Sequence, residues 1–371
     1  MVSASDPRIN RWASTLTGYC TNVQPGDVVA ITGSSVAEPL LRAVYRETLK
    51  RGGHPILLIG LPGACGDLLN LGDDAQIAYL SPIDRFPFED ADVRIMISSD
   101  ANTRSLSAVD PAKQTARNRA RTPLRQAGMQ RAAAGLQRWS LTLFPTDGYA
   151  MDAEMDSDAF AEFVFEACRL NVPDPAAAWQ EQSRMQAAMI EHLRGHDEVR
   201  ITAPDTDLTL SIAGRTWINS DGKRNFPSGE IFTGPVENSV NGHIRFSFPV
   251  VTQGRAISDI RLRFEDGAVV DASAASGEEF LIRTLDTDAG SRHLGEFAFG
   301  TNFGIQRFIK NILFDEKIGG TVHMAIGAGY PETGSTNDSS VHWDLICDLR
   351  EEGVVTIDGT PFLHKGRYLL D

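Results

Sequence analysis

Short apolar runs alternate with amphipathic segments over the first half of the chain. Runs rich in leucine and β-branched residues predict strands at residues 27–32, 55–59, 92–98 and 139–143. Between the first two runs, residues 38–50 repeat apolar side chains at helical spacing. Strands separated by helical segments are typical of a parallel sheet with crossover helices. This pattern predicts an α/β domain.

The pattern changes after Gly195. Short strands with turn residues between them are predicted at residues 199–203, 208–212, 243–248, 257–264, 321–327 and 340–349. Helical periodicity returns only near residues 277–285 and 305–313. We therefore expect an N-terminal α/β domain over residues 1–195 and a β-rich α+β domain over residues 196–371.

Composition limits the classes of function. The chain has 371 residues, 42% hydrophobic and 23% charged, as in an ordinary folded protein of two or three domains. It has 49 Asp and Glu against 35 Lys and Arg, a net charge of −14, which argues against nucleic acid as a partner. The arginine-rich segment 112–138 lacks aromatic side chains, so we interpret it as a solvated helical face. The acids at 152–158 fit a helix N-terminus capped by Asp156 or Ser157. The rest of the acidic surplus is either solubility charge or partly a metal site.

The cysteines and the N-terminus bear on location. The four cysteines are far apart and form no CxxC pair, so we expect buried free thiols at Cys20, Cys65, Cys168 and Cys347. The first residues show no basic region followed by an apolar run, and no signal peptide is predicted. The apolar run 28–32 is too short to span a membrane. These observations predict a cytoplasmic protein with no membrane partner.

Two histidines lie in strand-like segments of the second half. In a strand, residues i and i+2 point to the same face, so His342 and Asp344 of segment 340–349 should project side by side. That pair suits a divalent metal, and an ordinary histidine–aspartate ion pair is equally compatible with it. His323, in the apolar segment 321–327, is either a core histidine or a ligand.

Two glutamates stand in apolar, glycine-flanked segments of the same domain. Glu230 follows a Pro-Ser-Gly turn, and Glu296 is flanked by glycine and aromatic residues. A carboxylate in apolar surroundings is costly unless it is paired or bound to a cation. Two Glu, two His and one Asp suffice for a two-metal site with a bridging water. The glycine-rich turn 327–329 would aim Tyr330 at the occupant of that site.

Four segments carry a specific resemblance. They are NFPSGEIFTGP at residues 225–235, LGEFAFGTN at 294–302, HMAIGAGYPET at 323–333 and VHWD at 341–344. In this order they resemble the ligand segments of the thermophilic-type metallo-aminopeptidases, the bacterial aminopeptidases S and T. The resemblance covers nearly the whole chain, including segments 22–26 and 109–111 of the first half.

This resemblance implies a catalytic C-terminal metallopeptidase domain that acts on peptides and binds two divalent ions, zinc, cobalt or manganese. The positions of the metal ligands fall on Glu230, Glu296, His323, His342 and Asp344. Tyr330 falls on the active-site tyrosine, which would hydrogen-bond the tetrahedral intermediate, and Glu230 or Glu296 would shuttle the proton. The resemblance also implies a homodimer. The segment between Tyr330 and His342 is shorter than in typical members, which bears on substrate choice.

Other functions stay open at this stage. Iron-dependent 2,5-dihydroxypyridine dioxygenases share the domain and its His-x-Asp pair, and they use two histidines and one carboxylate. In those enzymes the position of Glu230 is not acidic and that of Glu296 is a histidine, so the two glutamates favour the hydrolase. His293, three residues before Glu296, is a histidine near that position, so the oxygenase stays an alternative. A specialised small-molecule amide hydrolase is the other alternative, and a non-enzymatic binding module would be expected to lack a ligand.

Overall fold

A computed structural model describes residues 2–252 and 255–370 of the chain. The helices are α1 (Pro7–Thr15), α2 (Glu38–Lys50), α3 (Ala64–Leu71), α4 (Asp74–Ala78), α5 (Pro82–Glu89), α6 (Pro111–Ala133), α7 (Asp147–Asp152), α8 (Ser157–Ala167), α9 (Pro175–Leu193), α10 (Glu278–Leu285) and α11 (Ile312–Asp315). The strands are β1 (Val28–Ser34), β2 (His54–Gly60), β3 (Val93–Ser98), β4 (Arg138–Leu143), β5 (Glu198–Ala203), β6 (Thr206–Ser211), β7 (Ile218–Ser220), β8 (Asn225–Phe226), β9 (Glu230–Thr233), β10 (Asn241–Phe246), β11 (Val250–Thr252), β12 (Arg255–Ile257), β13 (Ile260–Glu265), β14 (Ala268–Ser273), β15 (Leu294–Gly300), β16 (Thr321–Gly327), β17 (His342–Asp348), β18 (Val354–Ile357), β19 (Thr360–His364) and β20 (Arg367–Tyr368).

The chain folds into two compact units. One comprises Met1–Ala178 and Gly222–Pro227, and the other comprises Trp179–Asp221 and Ser228–Asp371. The chain thus passes from the first unit to the second within α9, before the turn at Gly195. The reason is packing, because Met189 and Leu193 of α9 belong to the hydrophobic core of the second unit.

The first unit contains the expected parallel sheet with helices. Its strand order is β2-β1-β3-β4-β8, and each neighbouring pair is parallel. Helix α8 begins as predicted, because the Asp156 carboxylate accepts from the backbone N–H groups of Asp158 and Ala159, both at 3.0 Å. The arginine-rich segment forms α6, where Arg117 donates to backbone carbonyls and Arg121 pairs with Asp84.

The second unit is built mainly on two antiparallel sheets, and β11 and β12 form a separate antiparallel pair. The larger has the order β14-β13-β10-β6-β5-β18-β19-β20, and the smaller has the order β17-β16-β15-β9-β7. Apolar side chains from both sheets join α9 and α10 in one hydrophobic core. The central strands β15 and β16 are buried along their whole length. The α+β, β-rich architecture predicted for this part of the chain is confirmed.

One predicted helix is wrong. Residues 305–311 form an irregular loop, and helix is confined to α11. Ile305 and Ile309 are both buried and four residues apart, which imitates helical spacing. The Asp315 carboxylate instead accepts from the backbone N–H groups of Ile309 and Asn311, at 2.7 and 2.6 Å, and holds the segment in its irregular conformation.

The cysteines are free thiols, but one expectation about them fails. Cys20, Cys168 and Cys347 are buried, whereas Cys65 is exposed near the start of α3. Over residues 2–252 and 255–370, no helix combines the length and the apolarity needed to cross a bilayer.

Candidate metal centre

Three neighbouring strands of the smaller sheet bring four candidate side chains together. Glu296 on β15 is paired with Ala325 on β16, which is paired with Asp344 on β17. His323 precedes Ala325 by two residues, and His342 precedes Asp344 by two. Because side chains alternate along a strand, these groups project from one face of the sheet.

The fourth strand, β9, adds Glu230 to this face. Glu230 is paired with Gly300, which lies an even number of residues after Glu296 on the same strand. The positions between the polar groups hold small residues, Ala298 and Ala325, so room is left above the sheet. The structure thus gathers every acid and histidine that the sequence singled out as a ligand.

The opposite face explains how these polar groups are tolerated. The alternating residues of the same strands are buried in the hydrophobic core: Phe297, Phe299, Val322, Met324, Leu345 and Cys347. One face of the sheet therefore anchors the core, and the other face holds the polar cluster at fixed spacing.

Both glutamates follow a glycine that the backbone requires. Gly229 has a φ of 114°, and a Cβ there would lie 2.7 Å from the Cβ of Asn302. A Cβ on Gly295 would lie 2.3 Å from the carbonyl oxygen of Ala328. The Gly-Glu pairs in the sequence therefore mark two places where the chain approaches other backbone closely, immediately before a carboxylate.

The clustered atoms form two groups that share one carboxylate. In the first, His323 Nε2 lies 3.4 Å from Glu230 Oε2 and 3.5 Å from Glu296 Oε1. In the second, His342 Nε2 lies 3.5 Å from Glu296 Oε2 and 3.6 Å from Asp344 Oδ1. Ligand atoms of each group lie within 4.8 Å of one another, as a cation would need. The two oxygens of Glu296 thus face different histidines.

A third carboxylate group includes a residue that the sequence analysis missed. Glu316, just after α11, lies with His323 and Asp344 in a group whose ligand atoms are within 4.8 Å. Its neighbour Lys317 is fully buried, contacts the Glu316 carboxylate, and places Nζ 3.7 Å from Glu230 Oε1. Both residues belong to the charged run Asp315–Lys317 of the segment LFDEKIGG, so neither stands out as a lone acid in an apolar segment as Glu230 does.

Hydrogen bonding fixes the protonation of one histidine. His342 Nδ1 lies 2.8 Å from the carbonyl oxygen of Ala328. A carbonyl only accepts, so Nδ1 carries the proton and donates it. In the neutral ring the lone pair then resides on Nε2, the atom that faces Glu296 and Asp344. This is the arrangement found in metal-binding histidines.

The pKa values follow from burial and crowding of charge. Burial raises the pKa of Glu230 to about 7 and that of Asp344 to about 6. For His323, burial opposes the charged form, but contact with Glu296 and the charge of Glu230 raise the pKa to about 9. For Lys317, burial also opposes the charge, and Glu230 and its neighbouring acid raise the pKa above the ordinary value. The carboxylates are thus more numerous than the positive charges that could stabilise them.

Tyr330 stands at the edge of this cluster. Its ring centroid lies 5.2 Å from that of His342, edge to face, and 5.3 Å from that of Phe232. Burial and the nearby acids, Glu296 first among them, raise the pKa of Tyr330, so the phenol keeps its proton at neutral pH. It can therefore donate a hydrogen bond. His293 belongs to none of the clusters formed by the described residues that are close enough to hold a metal.

Comparison with known proteins gives the family. The model of the thermophilic metalloprotease (M29) family matches residues 5–368. The chain belongs to the M29 family. It is accordingly a peptide-hydrolysing metalloenzyme, and the family assignment agrees with the resemblance of its four motif segments.

Several M29 relatives match over the full chain. Aminopeptidase 2 of Geobacillus stearothermophilus is 29% identical over 98% of this chain and 100% of that protein. Aminopeptidase T of Thermus aquaticus is 26% identical over 100% of both chains. The solved structure of wild-type AmpT from Thermus thermophilus superposes with a TM-score of 0.85 at 24% identity, over 98% of this chain and 99% of that one.

A more distant neighbour shares the fold. It is 2,5-dihydroxypyridine dioxygenase from Pseudomonas putida KT2440, with a TM-score of 0.61 and 13% identity over 100% of this chain and 99% of that one. This M29 member therefore has a fold that is also used by an oxygenase, so the chemistry has to be argued from the side chains.

Proposed function

We propose that this protein is an aminopeptidase that removes N-terminal residues from peptides and binds two divalent cations. The proposed ligands are those that the sequence singled out: Glu230, Glu296, His323, His342 and Asp344. The observation that carries the proposal is the orientation of Glu296, whose two oxygens lie 3.5 Å from two different histidines. Because it offers one oxygen to each ligand group, Glu296 would help to hold both cations. The relatives named aminopeptidase support the peptide substrate.

The charge of the cluster fits two cations better than none. Four carboxylates, those of Glu230, Glu296, Glu316 and Asp344, surround the two histidines, and Lys317 offsets one negative charge. Uncompensated buried charge is costly, and in its absence these groups must take up protons. Two divalent cations would offset the remaining negative charge with both histidines neutral. Zinc, cobalt and manganese all suit this mixture of imidazole and carboxylate ligands.

The residues have separable roles in peptide hydrolysis. When bound, a pair of divalent cations supplies a water of lowered pKa and polarises the scissile carbonyl. Glu230 and Glu296 have oxygens committed to the ligand groups, and the sequence analysis expected one of them to move the proton. Glu316 lies beside both groups, with Lys317 in contact with its carboxylate, and we assign it the transfer of a proton from the attacking water to the departing amine. Tyr330 donates its phenolic hydrogen to the developing oxyanion.

Metal analysis with substrate assays tests the proposal. We expect the purified protein to bind two zinc, cobalt or manganese ions per chain and to cleave aminoacyl p-nitroanilides and short peptides from the N-terminus. One iron per chain with oxygen uptake would replace the proposal with the dioxygenase alternative. Two bound metals without cleavage of any peptide would favour a specialised amide hydrolase.

Assembly, location and domain roles complete the proposal. From the family resemblance we propose a homodimer in which residues 196–371 are catalytic, and from the widely spaced cysteines without a CxxC pair we propose a cytoplasmic location. Sedimentation analysis of the purified chain at micromolar concentration measures its oligomeric state. A monomer with full activity would contradict it.

A further inference from the structure

The proposed ligand His342 occupies a weakly supported position in the sheet. It is the first residue of β17, an edge strand whose pairing with β16 ends at the pair Gly327–His342. Its side chain is 30% exposed, whereas that of His323, in the middle of the buried strand β16, is 1% exposed. Strand ends open more readily than buried strand interiors, so the distance between His342 and Glu296 needs support from outside the sheet.

Asp288, in the loop between α10 and β15, supplies such support. Its Oδ2 accepts from the backbone N–H of Ser340 at 2.8 Å and from the Ser340 hydroxyl at 2.7 Å. Its Oδ1 accepts from the Ser339 hydroxyl at 2.7 Å and from the backbone N–H and the hydroxyl of Ser291, at 3.0 and 2.8 Å. One carboxylate therefore ties the residues just before β17 to a loop that lies about 50 residues earlier in the chain.

The hydrogen bonds continue from these serines to the imidazole of His342. The Ser339 hydroxyl accepts from the backbone N–H of Val341 at 3.0 Å. The Val341 carbonyl accepts from the backbone N–H of Ala328 at 2.7 Å, and the Ala328 carbonyl accepts from His342 Nδ1 at 2.8 Å. Because the bond to Ala328 orients the ring, a displacement of the segment before His342 would turn Nε2 away from Glu296.

We propose that Asp288 is a positioning residue of the metal centre, which keeps His342 beside Glu296 and Asp344 and thereby sets the affinity for the cation of that ligand group. This inference rests on the proposed two-metal function. Glu230 and His323 of the other ligand group lie on β9 and β16, and Asp288 makes none of its hydrogen bonds to either strand. Only one of the two cations should therefore depend on Asp288.

The ionised carboxylate is suited to this role. The hydrogen bonds from Ser340 and Ser339 hold the pKa of Asp288 well below its ordinary value, so the group is charged at neutral pH. Hydrogen bonds to a charged acceptor are about twice as strong as neutral ones. An asparagine would offer one oxygen, and its NH₂ group would face hydrogen-bond donors. Asp288→Asn should therefore release part of the segment before His342 with little change in side-chain shape.

Zinc titration of metal-free Asp288→Asn, with a competing chelator, tests the proposal. Loss of a hydrogen-bonding partner that orients a metal-binding histidine costs about 10-fold to 100-fold in metal affinity. We expect the weaker of the two zinc ions to lose affinity by that factor and the tighter one to bind as in the wild type. Saturating zinc should restore kcat on leucyl p-nitroanilide nearly to the wild-type value, because the substitution changes occupancy of the site and not the reacting groups. A variant that is merely misfolded would not recover in this way.

Asp286→Asn is the matched control. Asp286 lies two residues earlier in the same loop, and its carboxylate accepts from the guanidinium of Arg292 rather than from the serines. The same chemical change at this position should leave both zinc affinities at their wild-type values.

The outcomes separate this inference from the aminopeptidase proposal. Unchanged zinc affinities in Asp288→Asn, or an equal loss in Asp286→Asn, would overturn the positioning role and leave the aminopeptidase intact. If circular dichroism shows that Asp288→Asn does not fold, Ser340→Ala decides, since it removes the hydroxyl donor and keeps the backbone N–H. It should weaken the same zinc ion, and unchanged binding would overturn the role. Wild-type protein that binds fewer than two ions would overturn both proposals.

Discussion

Replacing Glu296 with glutamine tests the central feature of the proposed site. The amide has nearly the same shape as the carboxylate, and Glu296 is only 5% exposed, so the sheet should keep its packing. The substitution removes the negative charge from an oxygen pair that lies 3.5 Å from His323 and 3.5 Å from His342. Both proposed cation positions therefore lose a charged donor at once.

The magnitude follows from the role of the cations. Metal-assisted stabilisation of the transition state is worth several kcal/mol, and a loss of about 4 kcal/mol is about a thousandfold in rate. We expect Glu296→Gln to lose about a thousandfold or more in kcat/KM on leucyl p-nitroanilide and to retain fewer than two metals per chain. The metal-free variant should unfold within about 4 °C of the metal-free wild type, which is roughly 1 kcal/mol for a domain of this size. The substitution removes both the repulsion between Glu296 and the neighbouring acids and its attraction to the two histidines. These two effects on the free energy of unfolding oppose each other.

The assay combines metal analysis after dialysis, initial rates and thermal unfolding with and without chelator. Glu279→Gln is the matched control, because the Glu279 side chain is 85% exposed on α10, pairs with Arg283 and belongs to none of the ligand groups found among the described residues. This control should keep wild-type rate and metal content. Full activity with two bound metals in Glu296→Gln would refute the assignment of Glu296 as the shared ligand.

The remaining predictions concern the proton path, the oxyanion and pH. Glu316→Gln should lower kcat by about 10²–10⁴-fold while metal content stays at the wild-type value, and loss of metal would make Glu316 a ligand instead. Tyr330→Phe should lower kcat by about 10²–10³-fold with little change in KM, and an unaltered kcat in steady-state assays would exclude the oxyanion role. Metal-free protein should lose stability as pH rises through about 7 and then about 9, because Glu230 and His323 both have raised pKa values and bind their protons more tightly when folded. Thermal unfolding in chelator across this pH range measures the effect, and a flat profile would contradict it.

Much of the local structure was predictable because it depends on short-range pattern. Helix α2 occupies the residues that its apolar spacing predicts, and β16 likewise matches residues 321–327. The failed helix at 305–313 had the same kind of spacing, but its buried isoleucines lie in an irregular loop. The hydrogen bonds to the Asp315 carboxylate hold this loop, and such contacts cannot be read from the spacing of apolar residues.

The candidate site was likewise predictable where it depends on local sequence and not where it depends on tertiary contacts. The local sequence alone identified Glu230, Glu296 and Asp344 as acids in apolar segments. The alternation of side chains along a strand placed His342 beside Asp344. Glu316 escaped notice because it follows a short helix rather than lying in a strand, and its place beside His323 depends on how the loop returns to β16.

Residue types and alternation along each strand were therefore enough to name the side chains and the face on which each would project. Pairing between strands was needed to say which groups meet, because the register of β9, β15, β16 and β17 is set by contacts between residues distant in the chain. Only that register directs the two oxygens of Glu296 towards different histidines.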